Sequence, residues 1–185
     1  MSPVEAALLG AVQGITEFLP VSSSGHLVIL QHLIGLREPE LTFDIMVHAG
    51  TLGALIVVFR QQIVSLLRRG VPALSQPARW KRSELGGPES PERMVIWIVI
   101  ASIPTGLIGL TGKRTFEALF GSPTLVGAML IVTGTLLFLT RYARGRNECP
   151  RGMQVWQALT IGIAQGIAVI PGISRSGSTI STGLF

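Results

Sequence analysis

Two apolar segments of this chain are each interrupted by a proline and a serine cluster, and the two interruptions resemble each other. The first reads QGITEFLPVSSSGH from Gln13, and the second reads QGIAVIPGISRSGS from Gln165. The copies align at Gln, Gly, Ser and Gly with one constant offset. Hydroxyl-rich sequence at membrane depth is costly, so it usually marks a functional site. Its repetition predicts a site at the junction of two related halves.

The composition is that of a membrane protein. Hydrophobic residues make up 48% of the 185 residues, charged residues only 14%, and the mean hydropathy is +0.53. Soluble domains carry about 25% charged residues. The net charge of +5 does not indicate a nucleic-acid partner, because the basic residues lie between apolar runs. The sequence predicts a multi-pass membrane protein whose single domain covers residues 1–185.

Three apolar runs are long enough to cross a bilayer as helices. Each has about 18–19 residues, close to the ~20 that the hydrocarbon core requires. These spans cover roughly residues 41–59, 94–111 and 123–140.

Two further apolar regions are broken in the middle. Residues 3–36 are interrupted at Pro20, and residues 153–185 at Pro171. The resulting pieces of about 15 residues are typical of re-entrant helical hairpins whose non-helical tips are buried in protein. The alternative is a pair of proline-kinked spanning helices. We predict an all-α polytopic membrane protein with two re-entrant hairpins.

The charge distribution predicts the orientation of these elements. Residues 60–93 and 141–151 carry 11 of the 15 basic residues, so both segments are expected in the cytoplasm. The connections near residues 37–40 and 113–117 then lie outside, and residues 60–93 are interpreted as a basic connector. Three spans separate the hairpins, so the hairpins enter from opposite sides. Their tips are predicted to meet near the midplane as an inverted repeat.

Gln13 and Glu17 carry the first chemical signal. In a helix they stand four residues apart and share one face. A carboxylate in an apolar helix needs a divalent cation, an arginine or a proton as its partner. The residues alone leave these three options open.

A serine cluster and a histidine follow the first proline. Ser22, Ser23 and Ser24 precede renewed apolar sequence, and serine is a favoured residue at a helix start. The free N–H groups and hydroxyls of such a helix start form an anion site, for which phosphate is the natural occupant. His26 lies within helical reach of Ser22 and Ser23 and can act as a general base or acid.

The second region supplies more hydroxyls and a cation. Ser174, Ser176 and Ser178 surround Arg175, which is the only basic residue between residues 153 and 185. An arginine flanked by serine and glycine suits bidentate binding of phosphate. The acid, the hydroxyls, the histidine and the arginine are therefore predicted to form one anion site between the two tips.

Each signal also has a plainer interpretation. A serine cluster is often only a helix cap or a turn, and a carboxylate inside a membrane often has a structural partner. His32 is expected at the end of a hairpin helix, away from any site. His48 is interpreted first as a polar contact between helices and second as a site residue.

At these residues the sequence resembles a known family. QGITEFLPVSSSGH and PGISRSG resemble the two signature regions of the undecaprenyl-diphosphate phosphatases, also known as bacitracin-resistance proteins. Gln13 and Glu17 match the family motif of Glu or Gln, three residues and Glu. Residues 171–177 match its Pro-Gly-x-Ser-Arg-Ser-Gly motif, and the span from Phe43 to Phe59 is also similar.

The resemblance implies an activity and a place in the cell. It implies hydrolysis of undecaprenyl diphosphate to the monophosphate and inorganic phosphate, which depends on a divalent metal and takes a lipid substrate from the bilayer. It also implies a bacterial plasma-membrane location, with the site open to the outer face. Family members continue for further membrane helices beyond the second motif. The resemblance therefore also implies a C-terminally truncated member.

The resemblance assigns roles to the residues of both tips in phosphoryl transfer, where positioning and charge neutralisation supply most of the catalysis. Glu17, with Gln13, is expected to hold Mg²⁺ or Ca²⁺ against the diphosphate. Arg175 is expected to clamp phosphate oxygens, and the nucleophile is either Ser23 or a water molecule activated by His26. The expected phosphate-binding residues are Ser22, Ser24, Gly25, Ser174, Ser176 and Gly177.

Four alternatives to this activity stay open. A lipid-phosphate transporter or flippase would share the repeats, although Glu17 and His26 align with Val169 and Ser178 in the second copy. A phosphatidate-phosphatase-type enzyme would require a Lys-x6-Arg-Pro segment that this sequence lacks. A structural scaffold would leave the polar cluster unexplained, and a truncated chain could be inactive. The sequence also leaves a homodimer open.

Overall fold

The computed structural model describes residues 1–36, 41–75, 90–143 and 153–185, and these residues form helices without strands. The all-α prediction is confirmed for this part of the chain. The helices are α1 (Pro3–Thr16), α2 (Ser23–Leu33), α3 (Leu41–Val58), α4 (Arg60–Ser65), a π-helical turn (Leu66–Gly70), α5 (Val71–Leu74), α6 (Pro91–Phe120), α7 (Pro123–Thr140), α8 (Val155–Ile167) and α9 (Arg175–Leu184).

Each proline-broken region forms two helices joined by a short non-helical tip. α1 begins with a capping box in which the backbone N–H of Ser2 donates to the Glu5 carboxylate at 2.7 Å. α2 and α9 begin after capping serines, Ser22 and Ser174. α1 packs on α2, and α8 packs on α9. Both broken regions are therefore helical hairpins, and their re-entry into the membrane stays a prediction.

Two helices of the described residues, and a third if a bent pair is counted as one span, have the apolar length that a bilayer needs. Among the described residues, Pro91–Phe116 of α6 and the whole of α7 are each long and apolar enough to span. α3 passes the same test only together with the helical stretch Arg60–Leu74, from which it is bent by 75°. Large apolar side chains on these helices face outward, and Leu110 and Ile131 are 79% and 72% exposed. Continuous apolar surface of this kind indicates lipid contact, so the chain is a multi-pass membrane protein.

The segment after α3 begins with helix, although residues 60–93 were predicted to be a basic connector. Residues 60–75 are helical, and the π-helical turn and α5 pack on α6. Arg69 donates to Glu92 at 3.1 Å across this contact. The prediction of a connector was wrong for residues 60–75, because packing on α6 stabilises a helix there.

A second predicted connection is also helical. Residues 113–117 continue α6, and the turn to α7 lies at Gly121 and Ser122. Hydropathy detects only the apolar part of a helix, so polar residues that extend the helix past the bilayer are read as a loop. The other predicted connections, residues 37–40 and most of 141–151, lie outside the described ranges, as does Cys149.

α8 lies against α6 at very short range. A Cβ atom on Gly162 would overlap the carbonyl oxygen of Ala101, and the Thr105 hydroxyl donates to the carbonyl oxygen of Gly162 at 2.8 Å. Small residues allow membrane helices to approach in this way. This contact fixes the second hairpin against the longest helix of the described chain.

We expect Gly162→Ala to lower the thermal midpoint of the detergent-solubilised protein by several degrees, because overpacking costs about 1–3 kcal/mol. Gly127→Ala on α7 is the matched control, since a Cβ atom there meets nothing within 4 Å. Thermal unfolding of both variants, followed by circular dichroism, tests this expectation. Equal midpoints would show that α6 and α8 do not depend on close approach.

The two tips contact each other through glycines. A Cβ atom on Gly25 would lie 2.9 Å from the Cα of Gly172, and one on Gly177 would lie 2.9 Å from the carbonyl oxygen of Pro20. In the repeat, Gly25 corresponds to Gly177 and Pro20 corresponds to Gly172. The two contacts are therefore reciprocal, as in a two-fold interface.

Candidate active site

A polar cavity of about 340 Å³ lies between the two tips. It brings together most of the residues that the sequence singled out from two distant parts of the chain. The first hairpin lines it with Thr16, Glu17, Leu19, Ser22, Ser23 and Ser24, and the second with Gln165, Ile173, Ser174, Arg175, Ser176 and Thr179.

Glu17 is the centre of a hydrogen-bond network in the cavity wall. Its Oε2 accepts from the Ser23 hydroxyl at 2.5 Å and from Nε2 of Gln13 at 2.9 Å. Nε2 of His48, on α3, lies 3.8 Å from the same oxygen. Three elements thus converge on one carboxylate, and the predicted pairing of Gln13 with Glu17 on one helix face is confirmed.

Both tips end in a serine that caps the next helix. The Ser174 hydroxyl accepts from the N–H of Gly177 at 3.0 Å, and the Ser22 hydroxyl accepts from the N–H of Gly25 at 3.4 Å. The predicted helix start at the first serine cluster is therefore confirmed, and Ser174 caps α9 in the same way. Each start presents N–H groups and the positive end of a helix dipole near the cavity.

The first cap has a strained backbone. Ser22 has φ 66°, in the left-handed region that residues other than glycine rarely adopt. Residues held in such conformations cluster at active sites and ligand clamps.

Two further serine hydroxyls, those of Ser24 and Ser176, line the cavity. The Ser176 hydroxyl lies 3.2 Å from that of Ser174.

Arg175 is the first residue of α9 and occupies the same repeat position as Ser23 at the start of α2. Its side chain is exposed and lines the cavity. It makes no hydrogen bond or ion pair with the described residues, and Glu17 does not lie within ion-pair distance of it. A cation, an arginine and a proton were considered as the partner of Glu17, and the described residues place no arginine beside it.

The two glycines that were expected to bind phosphate do not line the cavity. Gly25 and Gly177 are buried in the contact between the tips, and their N–H groups bond to the capping serines. Their assignment as phosphate-binding residues stays a prediction. The glycines allow the close approach of the tips, which a side chain would prevent.

His26 and Gln13 also lie away from the cavity wall. Nδ1 of His26 lies 2.8 Å from the carbonyl oxygen of Ser22, and the ring makes no contact with the Ser23 hydroxyl among the described hydrogen bonds. Gln13 is fully buried behind Glu17. The structure thus pairs Ser23 with Glu17 and does not pair it with His26.

Sequence reasoning missed two residues that shape this site, and it gave a third, His48, only as a secondary candidate. Gln165 lines the cavity, and its signal was available because it is the repeat counterpart of Gln13. Thr133 on α7 is buried, donates to the carbonyl oxygen of Gly172 at 2.8 Å and accepts from the N–H of Ser174 at 3.1 Å. No local sequence pattern predicts that Thr133 bonds to the second tip or that His48 approaches Glu17.

We expect Thr133→Val to destabilise the second tip, because it preserves shape but leaves a buried carbonyl and a buried N–H unpaired. Each unpaired group costs about 1–3 kcal/mol. The thermal midpoint should fall, whereas Thr133→Ser should keep it near the original value. Thr135→Val is the matched control, since that exposed hydroxyl bonds only within its own helix to Ile131. Equal midpoints for the two valine variants would contradict this role of Thr133.

The donors around Glu17 fit a divalent cation. Oε1 of the fully buried Gln13 has no hydrogen-bond partner among the described residues, and it belongs to the amide that bonds Glu17. The described residues contain no group of three or more His, Cys, Asp or Glu placed to hold a metal. Mg²⁺ commonly uses only one or two carboxylates and takes its other ligands from substrate phosphates and water. One carboxylate and one amide oxygen beside a polar cavity match that pattern.

Comparison with known proteins places the chain among its relatives. Residues 6–185 match the family described as bacitracin resistance protein BacA. The chain belongs to the BacA family.

Three curated relatives of this BacA chain carry one name. The undecaprenyl-diphosphatase of Desulfatibacillum aliphaticivorans is 46% identical over 98% of the chain. Proteins of the same name from Desulfosudis oleivorans and Desulforapulum autotrophicum are 46% and 47% identical over 100% of the chain. The chain covers 67% of the length of each of these relatives.

Proposed function

We propose that the chain hydrolyses undecaprenyl diphosphate to undecaprenyl phosphate and inorganic phosphate in the cavity between the two tips. This is the activity for which its BacA relatives are named. The reaction returns the lipid carrier of cell-wall synthesis to use, and with it the chain would confer the resistance that the family name describes.

The observation that carries this proposal is the hydrogen bond from the Ser23 hydroxyl to the Glu17 carboxylate. It lies in the wall of a cavity that Arg175 also lines. A hydroxyl bonded to a carboxylate has a proton acceptor in place, which is the arrangement of an activated nucleophile. A site that only transported a lipid phosphate would need the arginine and the hydrogen-bond donors, but not this pair.

The bonds made and broken follow from this pair. The oxygen of Ser23 attacks the terminal phosphorus, and its proton passes to Glu17. The bond between that phosphorus and the bridging oxygen breaks, and undecaprenyl phosphate leaves with the electron pair and takes up the proton. Water then attacks the phosphoserine, releases inorganic phosphate and restores the hydroxyl of Ser23. A water nucleophile acting directly, with His26 as its base, is the rival pathway.

The second tip would hold the phosphate during this transfer. Arg175 can present two parallel N–H donors to phosphate oxygens, and the hydroxyls of Ser24, Ser174 and Ser176 can donate to others. The starts of α2 and α9 add their dipoles at the same place. Donors fixed in this way stabilise the charge that develops on the phosphoryl oxygens.

We also propose that Glu17 and Gln13 hold Mg²⁺ or Ca²⁺. Such an ion neutralises part of the diphosphate charge when it is bound. The support for this is the unpaired oxygen of Gln13 beside the only carboxylate among the cavity-lining residues.

Trapping of the covalent intermediate tests the proposal. The purified protein, incubated with undecaprenyl diphosphate labelled in its terminal phosphate and quenched with acid, should carry label on Ser23. Ser23→Ala should lose both the label and the release of phosphate, whereas Ser24→Ala should weaken turnover but keep the label. Phosphate release that persists in Ser23→Ala would establish the water pathway. An absence of release by the unaltered protein would contradict the proposed function itself.

The location and orientation are also proposals. We propose that the chain lies in the bacterial plasma membrane with the cavity open to the outer face, and that the hairpins form an inverted repeat. The bias of basic residues toward two segments supports the orientation. The reciprocal contacts of Gly25 with Gly172 and of Gly177 with Pro20 support the repeat.

This orientation predicts that Cys149 faces the cytoplasm. Cys149 is the single cysteine of the chain and lies outside the described residues. A membrane-impermeant thiol reagent should label it only after cells are permeabilised, and Cys149→Ser should show no labelling under either condition. Ready labelling in intact cells would reverse the orientation of every span.

A further inference from the structure

His48 faces the Glu17 carboxylate from a third element of the fold. It lies on α3, which packs on α1, and its side chain is 28% exposed. Its Nε2 lies 3.8 Å from Oε2 of Glu17. A direct hydrogen bond between these atoms would be about 1 Å shorter.

The hydrogen bond of the other ring nitrogen, Nδ1, determines which tautomer His48 adopts. Nδ1 of His48 lies 2.7 Å from the carbonyl oxygen of Asp44. A carbonyl oxygen only accepts, so Nδ1 carries the hydrogen, and Nε2 of the neutral ring presents a lone pair. Two acceptors, Nε2 of His48 and Oε2 of Glu17, therefore face each other. Two atoms that bind the same metal ion at ~2.1 Å lie about 3–4 Å apart. The separation of Nε2 and Oε2 therefore suits a cation bound between them.

We propose that Nε2 of His48 is a third protein donor to the divalent cation held by Glu17 and Gln13. This inference rests on the metal requirement of the proposed function. Gln13 contributes the oxygen that lacks a partner, and rotation of its amide by 180° exchanges that oxygen with the nitrogen now facing Glu17. The tautomer is fixed by a backbone carbonyl, which is the usual arrangement for a histidine that binds a metal.

The donor set also indicates which ion the site prefers. Calcium takes oxygen ligands, whereas imidazole suits transition ions such as Zn²⁺, Fe²⁺ and Ni²⁺. A set of one imidazole, one carboxylate and one amide oxygen should therefore bind transition ions more tightly than Ca²⁺, and Mn²⁺ is a paramagnetic member of that series that also accepts oxygen ligands. The set carries one negative charge, so a bound divalent ion leaves a net positive charge near Arg175. That charge suits a diphosphate.

Pulsed electron paramagnetic resonance of bound Mn²⁺ tests the proposal without any turnover. The protein, purified without a histidine tag and loaded with Mn²⁺, should show the ¹⁴N modulation of a directly bound imidazole. His48→Gln should lose that modulation, and its Kd for Mn²⁺ should rise at least about tenfold. His32→Gln is the matched control, because His32 is exposed at the end of α2, and it should keep both properties.

A second preparation avoids any change at His48. The chain has three histidines, so in the double variant His26→Gln/His32→Gln only His48 can supply an imidazole. The ¹⁴N modulation should survive in that protein and should change when it is grown with ¹⁵N-histidine. Bound Mn²⁺ without nitrogen modulation, or modulation that persists in His48→Gln, would overturn the proposal. Phosphate release measured separately distinguishes this failure from failure of the phosphatase function.

Discussion

Replacement of Arg175 by alanine is expected to abolish nearly all release of phosphate from undecaprenyl diphosphate, a loss of about 10³-fold or more. Arginines that contact the transferred phosphoryl group contribute effects of this size. Arg175 lines the cavity at the start of α9, and its guanidinium has no partner among the described residues. The side chain is therefore free to bind the substrate, and its removal leaves no unpaired protein group behind.

Arg175→Lys separates charge from geometry. Lysine keeps the positive charge but loses the planar fork that contacts two oxygens at once, so we expect most of the turnover to be lost with this variant too. Arg114→Ala is a matched control, because Arg114 is an exposed arginine on α6 that does not line the cavity. Steady-state phosphate release by the three variants decides the question. Near-normal release by Arg175→Ala would exclude the cavity between the tips as the active site.

The hairpins and the first N-cap could be predicted because their signals are local. A proline breaks each apolar run, and a serine before renewed apolar sequence starts α2 at Ser22. Such features can be predicted from the sequence because helix capping and the effect of proline on the backbone depend only on residues a few positions apart. The corresponding cap at Ser174, which places Arg175 at the start of α9, was not predicted.

What the sequence did not predict depends on distant parts of the chain. Gly25 and Gly177 were expected only at the phosphate site, and their packing of one tip on the other was not predicted. His48 approaches Glu17 only because α3 packs on α1. The helical stretch after α3 packs on α6, which lies far from it in the sequence. Periodicity reports one element at a time, and these features arise between elements.

Glu17→Gln is expected to remove activity through the site and not through the fold. The amide keeps the shape of the side chain and can still accept a hydrogen bond from Ser23, but it cannot take up the Ser23 proton and it lacks the charge that a hard cation requires. The metal concentration needed for half-maximal phosphate release should rise at least about tenfold, or activity should not return at all. The thermal midpoint should stay within a few degrees of that of the unaltered protein.

A structural role for Glu17 would give the opposite pattern. Removal of a charge that holds a structural network together destabilises the fold, so the midpoint would fall sharply while the metal requirement stayed the same. Glu5→Gln is the matched control, because Glu5 is a carboxylate of the same helix and its capping interaction with Ser2 tolerates glutamine. Metal titration and thermal unfolding on one preparation separate the two cases. Because Glu17 has Gln13, Ser23 and His48 around it and no arginine within ion-pair distance among the described residues, we expect the metal requirement to change and the midpoint to hold.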